Sequence, residues 1–425
     1  MAAMTARRAA ARLLAGVTEA RVPLSDQIAG GALDALAPAD RARAQRLALA
    51  TLRNLGRADA ELKPHLRRQP PPEVRAILQL AVAEMLGEGA APHGVVSEAV
   101  SAVRALGRSG ERLAPMANAV LRRVGEAGGT IWARREADPL PGWLRGRLMS
   151  AWGKKAVIAM EAAQSAGAPL DLTPKDGDAA ALAARVGGVA LPTGSVRIAG
   201  PVQVSELPGY ASGDWWVQDA AAAMPARVLA AVKGERVLDL CAAPGGKTLQ
   251  LAAAGAEVIA LDLSAPRMAR LSENLARCGL GAEAIVADAL TWQGGPFDAI
   301  LLDAPCSATG TIRRHPDLPF VRDASGLKEI VALQAAMLDH AVTLLRPGGR
   351  LVFATCSLLP EEGERQAEGA LARHPVLIAD AGALALPGVE PDWIGTAGLR
   401  LRPDYWPEQG GMDGFFVAAF RRSDG

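Results

Sequence analysis

The 425-residue chain has the length of two or three domains, and half of its residues are apolar, which excludes a disordered polymer. No run of about 18 apolar residues offers a membrane span, and four dispersed cysteines (241, 278, 306, 356) without a Cys-x-x-Cys pair argue against a disulfide framework or a zinc site. The net charge of +1 conceals an asymmetry: residues 1–135 hold 20 Lys and Arg against 12 Asp and Glu, a net of +8, and the remainder holds 26 against 33.

A basic N-terminal third implies a polyanion partner, with a solvated helical surface as the plain alternative. The N-terminus lacks an apolar signal-peptide core, so nothing marks it for export and a reducing cytoplasm is the expected setting. From residue 5 to about 130, apolar residues recur at helical spacing: Ala9, Leu13, Leu14 and Val17, then Leu47, Leu49, Leu52 and Leu55. After the stop at Pro70-Pro71-Pro72 come Ile77, Leu78, Val82 and Leu86; Pro92, Gly107 and Gly110 then punctuate two more helices, over 95–106 and 112–124. The pattern predicts a compact helical bundle. His93 reads as part of a helix start and not as a ligand, because no partner accompanies it. The stretches 76–86, 92–100 (Pro-His-Gly-Val-Val-Ser-Glu-Ala-Val) and 118–123 (Asn-Ala-Val-Leu-Arg-Arg) resemble the NusB-type RNA-binding helical domain, a fold that suits the +8 charge.

Residues 136–215 predict a small connecting α/β module. Trp132, Trp143 and Trp152 near its start read as packing residues, not as base-stacking platforms. Short β-prone pieces at 196–198, 202–204 and 215–217 alternate with Gly and Pro. Gln218 and Asp219 read as the opening of an Ala-rich helix, where an acid suits the N-terminus.

From residue 235, strands near 236–240, 257–262, 284–287, 298–303 and 350–355 alternate with helical segments. This predicts a doubly wound, largely parallel Rossmann-like sheet over 216–425 with right-handed crossovers. The first strand runs into Cys241-Ala242-Ala243-Pro244-Gly245-Gly246-Lys247, a turn whose glycines let backbone approach a ligand closely. The second ends at Asp262, 23 residues after Asp239, where a carboxylate can chelate a ribose diol. The third ends at Asp288 and the fourth at Asp303. Without a Gly-x-x-x-x-Gly-Lys-Thr loop, the expected ligand is adenosine-like and not a free phosphate. The closing apolar strand, 414–420, follows a Gly-rich turn, and its direction stays open from pattern alone.

Two cysteines lie just past strands at this edge, in Asp303-Ala304-Pro305-Cys306-Ser307 and Ala354-Thr355-Cys356-Ser357. A single cysteine there reads as packing; two, each followed by Ser, point to thiol chemistry. Carbon 5 of a pyrimidine is too weak a nucleophile to take a methyl group from a sulfonium. A thiolate adding to carbon 6 converts the ring to an enamine whose carbon 5 can attack. Asp303 is placed to stabilise charge at the ring nitrogen. Spacing does not decide between the cysteines, since either satisfies the chemistry. An exocyclic amine needs no covalent help, so the pair argues against amine methylation.

These words resemble the Nop/Sun family of RNA cytosine-5 methyltransferases that use S-adenosylmethionine, and with the NusB-like start the whole chain resembles the small-subunit rRNA (cytosine-5) methyltransferase B group. The resemblance implies a multidomain chain: an all-α NusB-like bundle (1–135), the α/β linker module (136–215) and a Rossmann-like methyltransferase domain (216–425). It implies that Cys241, Ala242, Ala243, Pro244, Gly245, Gly246, Lys247, Asp262, Arg267, Asp288 and Asp303 form the S-adenosylmethionine site. It further implies Cys356 as nucleophile, Cys306 as the cysteine that assists release, and Lys247 as an active-site or cofactor-side group, although Lys247 alone reads equally as a helix-surface lysine. Thr311-Ile312-Arg313-Arg314-His315-Pro316-Asp317 resembles a loop beside the target base, and its arginines favour phosphate contact. Leu170-Asp171-Leu172-Thr173-Pro174-Lys175, in the small module, departs from the family's usual wording. The expected substrate is 16S rRNA, acted on by a monomer with no metal and no membrane partner. The rivals are tRNA as substrate, an assembly factor with an inactive methyltransferase-like domain, and amine methylation.

Overall fold

The computed structural model describes residues 4–200 and 202–424. They form two compact units: one holds the chain up to Gly167 together with Ile312–Ala324, the other Ala168–Thr311 and the chain from Ser325 onward. The boundaries expected at 135 and 215 do not coincide with these units.

The first unit is helical and is built around Pro72–Leu86. Pro71 is extended (φ −53, ψ 150) and Pro72 occupies the first helical position, where a missing N–H costs nothing. Nearly every residue from Val74 to Met85 is buried, which is what a helix apolar on all sides requires. Around it lie Ala6–Thr18, Pro38–Arg53, Pro92–Arg104 and Arg108–Ala127, with Leu13, Leu14, Val17, Leu47 and Leu52 inside as their spacing predicts. Leu55 begins a separate helix, Leu55–Leu62, because the chain leaves helical geometry at Asn54 (φ −127, ψ 23). Trp132 is a packing residue: it is buried, the Arg57 guanidinium lies 4.1 Å over its ring, and the buried Glu61 accepts its backbone N–H at 2.5 Å.

The segment Ile312–Ala324 corrects one expectation. Arg313 is fully buried in the helical unit, not presented to RNA phosphates. Its Nη2 donates to the Gly167 carbonyl at 3.1 Å, and its own carbonyl accepts from Arg53 Nη2 at 3.1 Å. Asp317 is buried beside it and accepts the Leu24 N–H at 2.9 Å, while Phe320 and Val321 pack on the helical core. An arginine whose side chain donates to one backbone carbonyl while its own carbonyl accepts from a second arginine is recruited by tertiary structure, which local charge cannot reveal.

The second unit contains two sheets. The smaller is antiparallel, in the order β2 (Val189–Ala190), β3 (Val196–Ile198), β1 (Leu170–Pro174), β4 (Trp215–Val217), with one helix, Ala179–Val186. Residues 202–204 are not a strand; a 3-10 turn, Val204–Glu206, stands there. The unusual Asp171 is fully buried and holds Arg197 through two 2.7 Å bonds, and the same guanidinium donates to the Gln409 and Gly411 carbonyls. Lys175 likewise is engaged within the unit, donating to the Cys278 carbonyl at 2.5 Å. No helix opens at Gln218. The helix is Met224–Leu229, and Asp219 instead accepts the N–H groups of Ala221 (2.8 Å) and Asp413 (3.2 Å). Gln218 joins Thr173, Trp216 and Gln250 by side-chain bonds of 2.8–2.9 Å.

The larger sheet contains β5 (Arg236–Leu240), β6 (Glu257–Asp262), β7 (Glu283–Val286), β8 (Phe297–Asp303), β9 (Leu345–Thr355), β10 (Leu377–Ala379), β11 (Leu399–Leu401) and β12 (Phe415–Arg422). Its order is β10-β12-β9-β8-β5-β6-β7, with β11 also on β12. β7, β6, β5, β8 and β9 run parallel, and β12 is antiparallel to β9. Parallel strands buried on both faces read as near-continuous apolar runs, as Ala299–Leu302 and Leu351–Ala354 do. Among the described residues no helix is long and apolar enough to cross a membrane.

Asp171→Ala should lower the unfolding free energy of the second unit by about 3–5 kcal/mol, because it strands a buried guanidinium. Chemical denaturation checks this, and a loss below about 1 kcal/mol contradicts it.

Candidate functional site

Strand register lines up the site. Leu240 of β5 lies opposite Leu302 of β8 and Leu261 of β6, Asp303 lies opposite Ala354 of β9, and Asp262 lies opposite Val286 of β7. The residues that follow these strands therefore emerge at one carboxyl edge: Cys356, Asp303, Cys241, Asp262 and Asp288. The sheet order reverses between β5 and β8, the topological switch point at which open α/β sheets bind ligands.

After β5 the chain turns sharply. Cys241 has a positive φ of 62°, the Ala243-Pro244 peptide is cis, and Gly245 (φ 107) starts the helix Gly246–Ala253. A Cβ at Gly245 would lie 2.8 Å from Leu271 Cγ, so only glycine satisfies both the backbone angle and the approach. Asp262 accepts the Ala243 N–H at 3.2 Å and the Ser264 N–H at 2.9 Å. Arg267 approaches Asp262 to 3.6 Å and donates to the Ala243 carbonyl, clamping the loop against the second strand. Asp288 stands exposed beyond β7, its carboxylate accepting the Leu290 N–H at 2.9 Å.

Asp239 is fully buried beneath the loop; one carboxylate oxygen accepts from Thr248 Oγ1 at 2.6 Å and the other has no hydrogen-bond partner among the described residues. Burial pushes its carboxyl up to about 7, against the pull of the Thr248 bond and the Lys247 charge. An acceptor left over beneath a glycine turn, with a second carboxylate at the next strand end, fits a ligand that carries both donor groups and a ribose.

Across β8 the edge changes character. Lys247 is buried, not a surface lysine: its Nζ donates to Asp303 at 2.6 Å and lies 5.3 Å from the Phe415 ring centre. Burial pulls the ammonium down, but Asp303 and Asp239 outweigh it and hold the group above its ordinary value. Next to this pair, Cys306 and Cys356 are free thiols with their sulfurs 3.3 Å apart. The hydrogen bond to Cys356, then burial, then electrostatic interaction with Cys356 and Glu362 push the Cys306 thiol well up. Burial, followed by Asp303, Asp262 and Asp239, does the same to Cys241. Gly310 closes the Cys306 loop: its N–H donates to the Cys356 carbonyl at 2.9 Å, and a Cβ there would meet the Gly414 carbonyl oxygen at 2.0 Å.

Of the residues assigned to the reaction and the cofactor from sequence, Cys241, Lys247, Asp262, Arg267, Asp288, Asp303, Cys306 and Cys356 lie at or beside this edge, whereas Arg313 belongs to the helical unit. Sequence reasoning missed the buried Thr248 partner of Asp239 and the acid Glu362, whose contacts come from segments far apart in the chain; the Pro360-Glu361-Glu362 run after Thr-Cys-Ser was the available signal.

This geometry defines a Rossmann-like methyltransferase domain preceded by a NusB-type helical domain. The family model described as 16S rRNA methyltransferase RsmB/F matches residues 226–421, and the NusB family matches residues 4–126. A ribosomal RNA small subunit methyltransferase B from Xanthomonas campestris pv. campestris is 38% identical, covering 98% of this chain and 97% of that one. The Pseudomonas putida protein of the same description is 37% identical over 98% of each. Among solved structures, a methyltransferase homolog from Pyrococcus horikoshii superposes with a TM-score of 0.56 at 28% identity, covering 66% of this chain and 94% of its own. The crystal structure of PH0851 superposes with a TM-score of 0.72 at 22% identity over 99% of this chain and 100% of that one. The chain belongs to the ribosomal RNA small subunit methyltransferase B family.

At pH 8, Cys241 and Cys306 should alkylate with iodoacetamide at least about tenfold more slowly than free cysteine, because a raised pKa leaves less thiolate. Both rates should climb as pH is raised. Peptide mass spectrometry reads each site, and labelling of Cys306 as fast as free cysteine contradicts the assignment.

Proposed function

We propose that this protein transfers a methyl group from S-adenosylmethionine to carbon 5 of a cytosine in 16S rRNA, through a covalent adduct of Cys356 with carbon 6. The observation that carries this reading is the pair of free thiols 3.3 Å apart beside the Lys247–Asp303 ion pair at the ligand edge of the sheet. Family membership supports the reaction and the substrate class.

The residues that would hold the cofactor are the Cys241–Lys247 turn, Asp262, Arg267, Asp288 and Asp303. When bound, S-adenosylmethionine supplies an electrophilic methyl on a sulfonium. The chain's own groups make the base reactive. The Cys356 sulfur adds to carbon 6, and the displaced π electrons make carbon 5 nucleophilic. Asp303 faces the ring edge where charge accumulates, and the ammonium of Lys247, 2.6 Å from it, supplies the compensating positive charge. After methylation a base takes the carbon 5 proton, the carbon 6–sulfur bond breaks, and the electron pair returns to Cys356. Cys306, whose thiol is pushed well up, serves this release step. A base inside a duplex cannot reach two such sulfurs, so the target cytosine is unstacked or single-stranded when it reacts. The helical domain, which carries most of the +8 charge of residues 1–135, provides affinity for the RNA backbone.

Labelled S-adenosylmethionine offered with free 16S rRNA, assembled small subunits and bulk tRNA, followed by nucleoside analysis, tests the reading. Label in 5-methylcytidine of 16S rRNA is expected; label in another nucleoside, or only in tRNA, contradicts it. Cys356→Ala should abolish turnover while cofactor affinity stays within about twofold, since that site is built from other residues. Cys306→Ala should accumulate a covalent protein–RNA adduct on denaturing gels, and normal turnover without adduct contradicts its role.

A further inference from the structure

One fully buried acid stands behind both thiols and belongs to no part of the reaction described so far. Glu362 ends the short 3-10 turn Pro360–Glu362 that follows Cys356. Its carboxylate accepts the Ser307 backbone N–H at 2.8 Å, the Ser307 hydroxyl, the Ser357 hydroxyl at 2.5 Å and Gln334 Nε2 at 3.1 Å. Ser307 is the residue after Cys306, and Ser357 is the residue after Cys356. A single carboxylate therefore grips the chain immediately beyond each sulfur, on two loops about 50 residues apart in sequence.

The grip is itself supported. Gln334, on the helix Leu327–Leu344, also donates to the Pro305 carbonyl at 2.9 Å and so steadies the chain on the other side of Cys306. Thr355 Oγ1 donates to the Glu362 carbonyl at 3.0 Å, tying the acid back to the end of β9. Among the described residues, the side-chain bonds to the carboxylate come from neutral groups, Ser307, Ser357 and Gln334, and none from a cation. A buried carboxylate satisfied in this way is costly to disturb, since any donor removed leaves an acceptor unpaired.

We propose that Glu362 is the positioning residue for the thiol pair: it fixes the spacing of Cys306 and Cys356 by gripping both loops, and it sets a carboxylate beside Cys306. Its bearing on turnover rests on the reading of Cys356 as the nucleophile. A negative charge held beside Cys306 disfavours a second negative charge there, and Glu362 contributes to the upward displacement of that thiol. The charged and titratable groups around the pair are few. Cys356 and Glu362 face Cys306, the Lys247 ammonium paired with Asp303 interacts with Cys356, and Arg400, paired with Glu364, donates to the Ser357 carbonyl. Of these, only Glu362 contacts both loops through its carboxylate.

Glu362→Gln tests this, because it removes the charge while keeping the size. Three readouts are taken on the full-length protein: the pH profile of iodoacetamide labelling at Cys306, kcat and KM for 16S rRNA, and S-adenosylmethionine affinity. The expected result is a Cys306 labelling midpoint moved to lower pH with at least a threefold faster rate at pH 8. Turnover should fall at least tenfold, with KM and cofactor affinity within threefold of the parent. Glu362→Asp, which keeps the charge on a shorter arm, should return the labelling midpoint towards the parent value while turnover stays reduced. An unchanged Cys306 profile in Glu362→Gln overturns the proposal, whether turnover persists or is lost together with cofactor binding and thermal stability. The thiol profile requires no RNA, so it judges Glu362 even if the parent protein methylates none of the RNAs offered, an outcome that would instead defeat the proposed function.

Discussion

Backbone pairing of β8 with β9 is the constraint on which the site depends. Parallel strands in register, with Asp303 opposite Ala354, release their following loops side by side at the same edge. The two sulfurs can then approach to 3.3 Å although 50 residues separate them. Pairing of β8 with β5 on its other side brings Lys247, carried on the helix after the glycine turn, within hydrogen-bond reach of Asp303. One slip of register would turn each of these side chains to the opposite face of the sheet.

Charge at this edge is distributed unevenly, and the imbalance is useful. Asp239 and Asp303 lie around the buried ammonium of Lys247. Burial alone would discharge a lysine, and the neighbouring carboxylates keep it cationic. The same carboxylates discourage ionisation of Cys241, which leaves the glycine turn chemically quiet although it carries a thiol. Beyond Asp303, the thiol pair shares one hydrogen bond, so one sulfur acts as donor and the other as acceptor.

Much of this was legible in the chain. Buried strands ending in Asp at regular spacing, a glycine turn after the first and Cys-Ser words after the last two are local patterns, and they locate the sheet edge correctly. The helical domain was legible because Pro72–Leu86 and its neighbours keep a helical apolar period with proline stops. What escaped was whatever depends on partners distant in sequence. Arg313 looks like a solvated phosphate ligand until the 312–324 segment is seen to fold into the helical unit. Asp219 looks like a helix cap until Asp413 is found on it. Glu362 is one acid in an acidic run, and only its bonds to Ser307, Ser357 and Gln334 distinguish it. The departure at Asp171 has a structural explanation in the buried pair with Arg197, which no local pattern announces.

The central claim is that Cys356, and not Cys306, bonds to carbon 6 of the cytosine. The most direct measurement offers the wild-type protein S-adenosylmethionine and 16S rRNA containing 5-fluorocytidine, whose fluorine cannot leave as the carbon 5 proton does, and then maps the modified peptide by mass spectrometry. The expected result is a denaturation-resistant adduct on the peptide containing Cys356, with methyl and fluorine both retained on the base. An adduct on Cys306, or methylation of cytosine with no adduct at all, would contradict it.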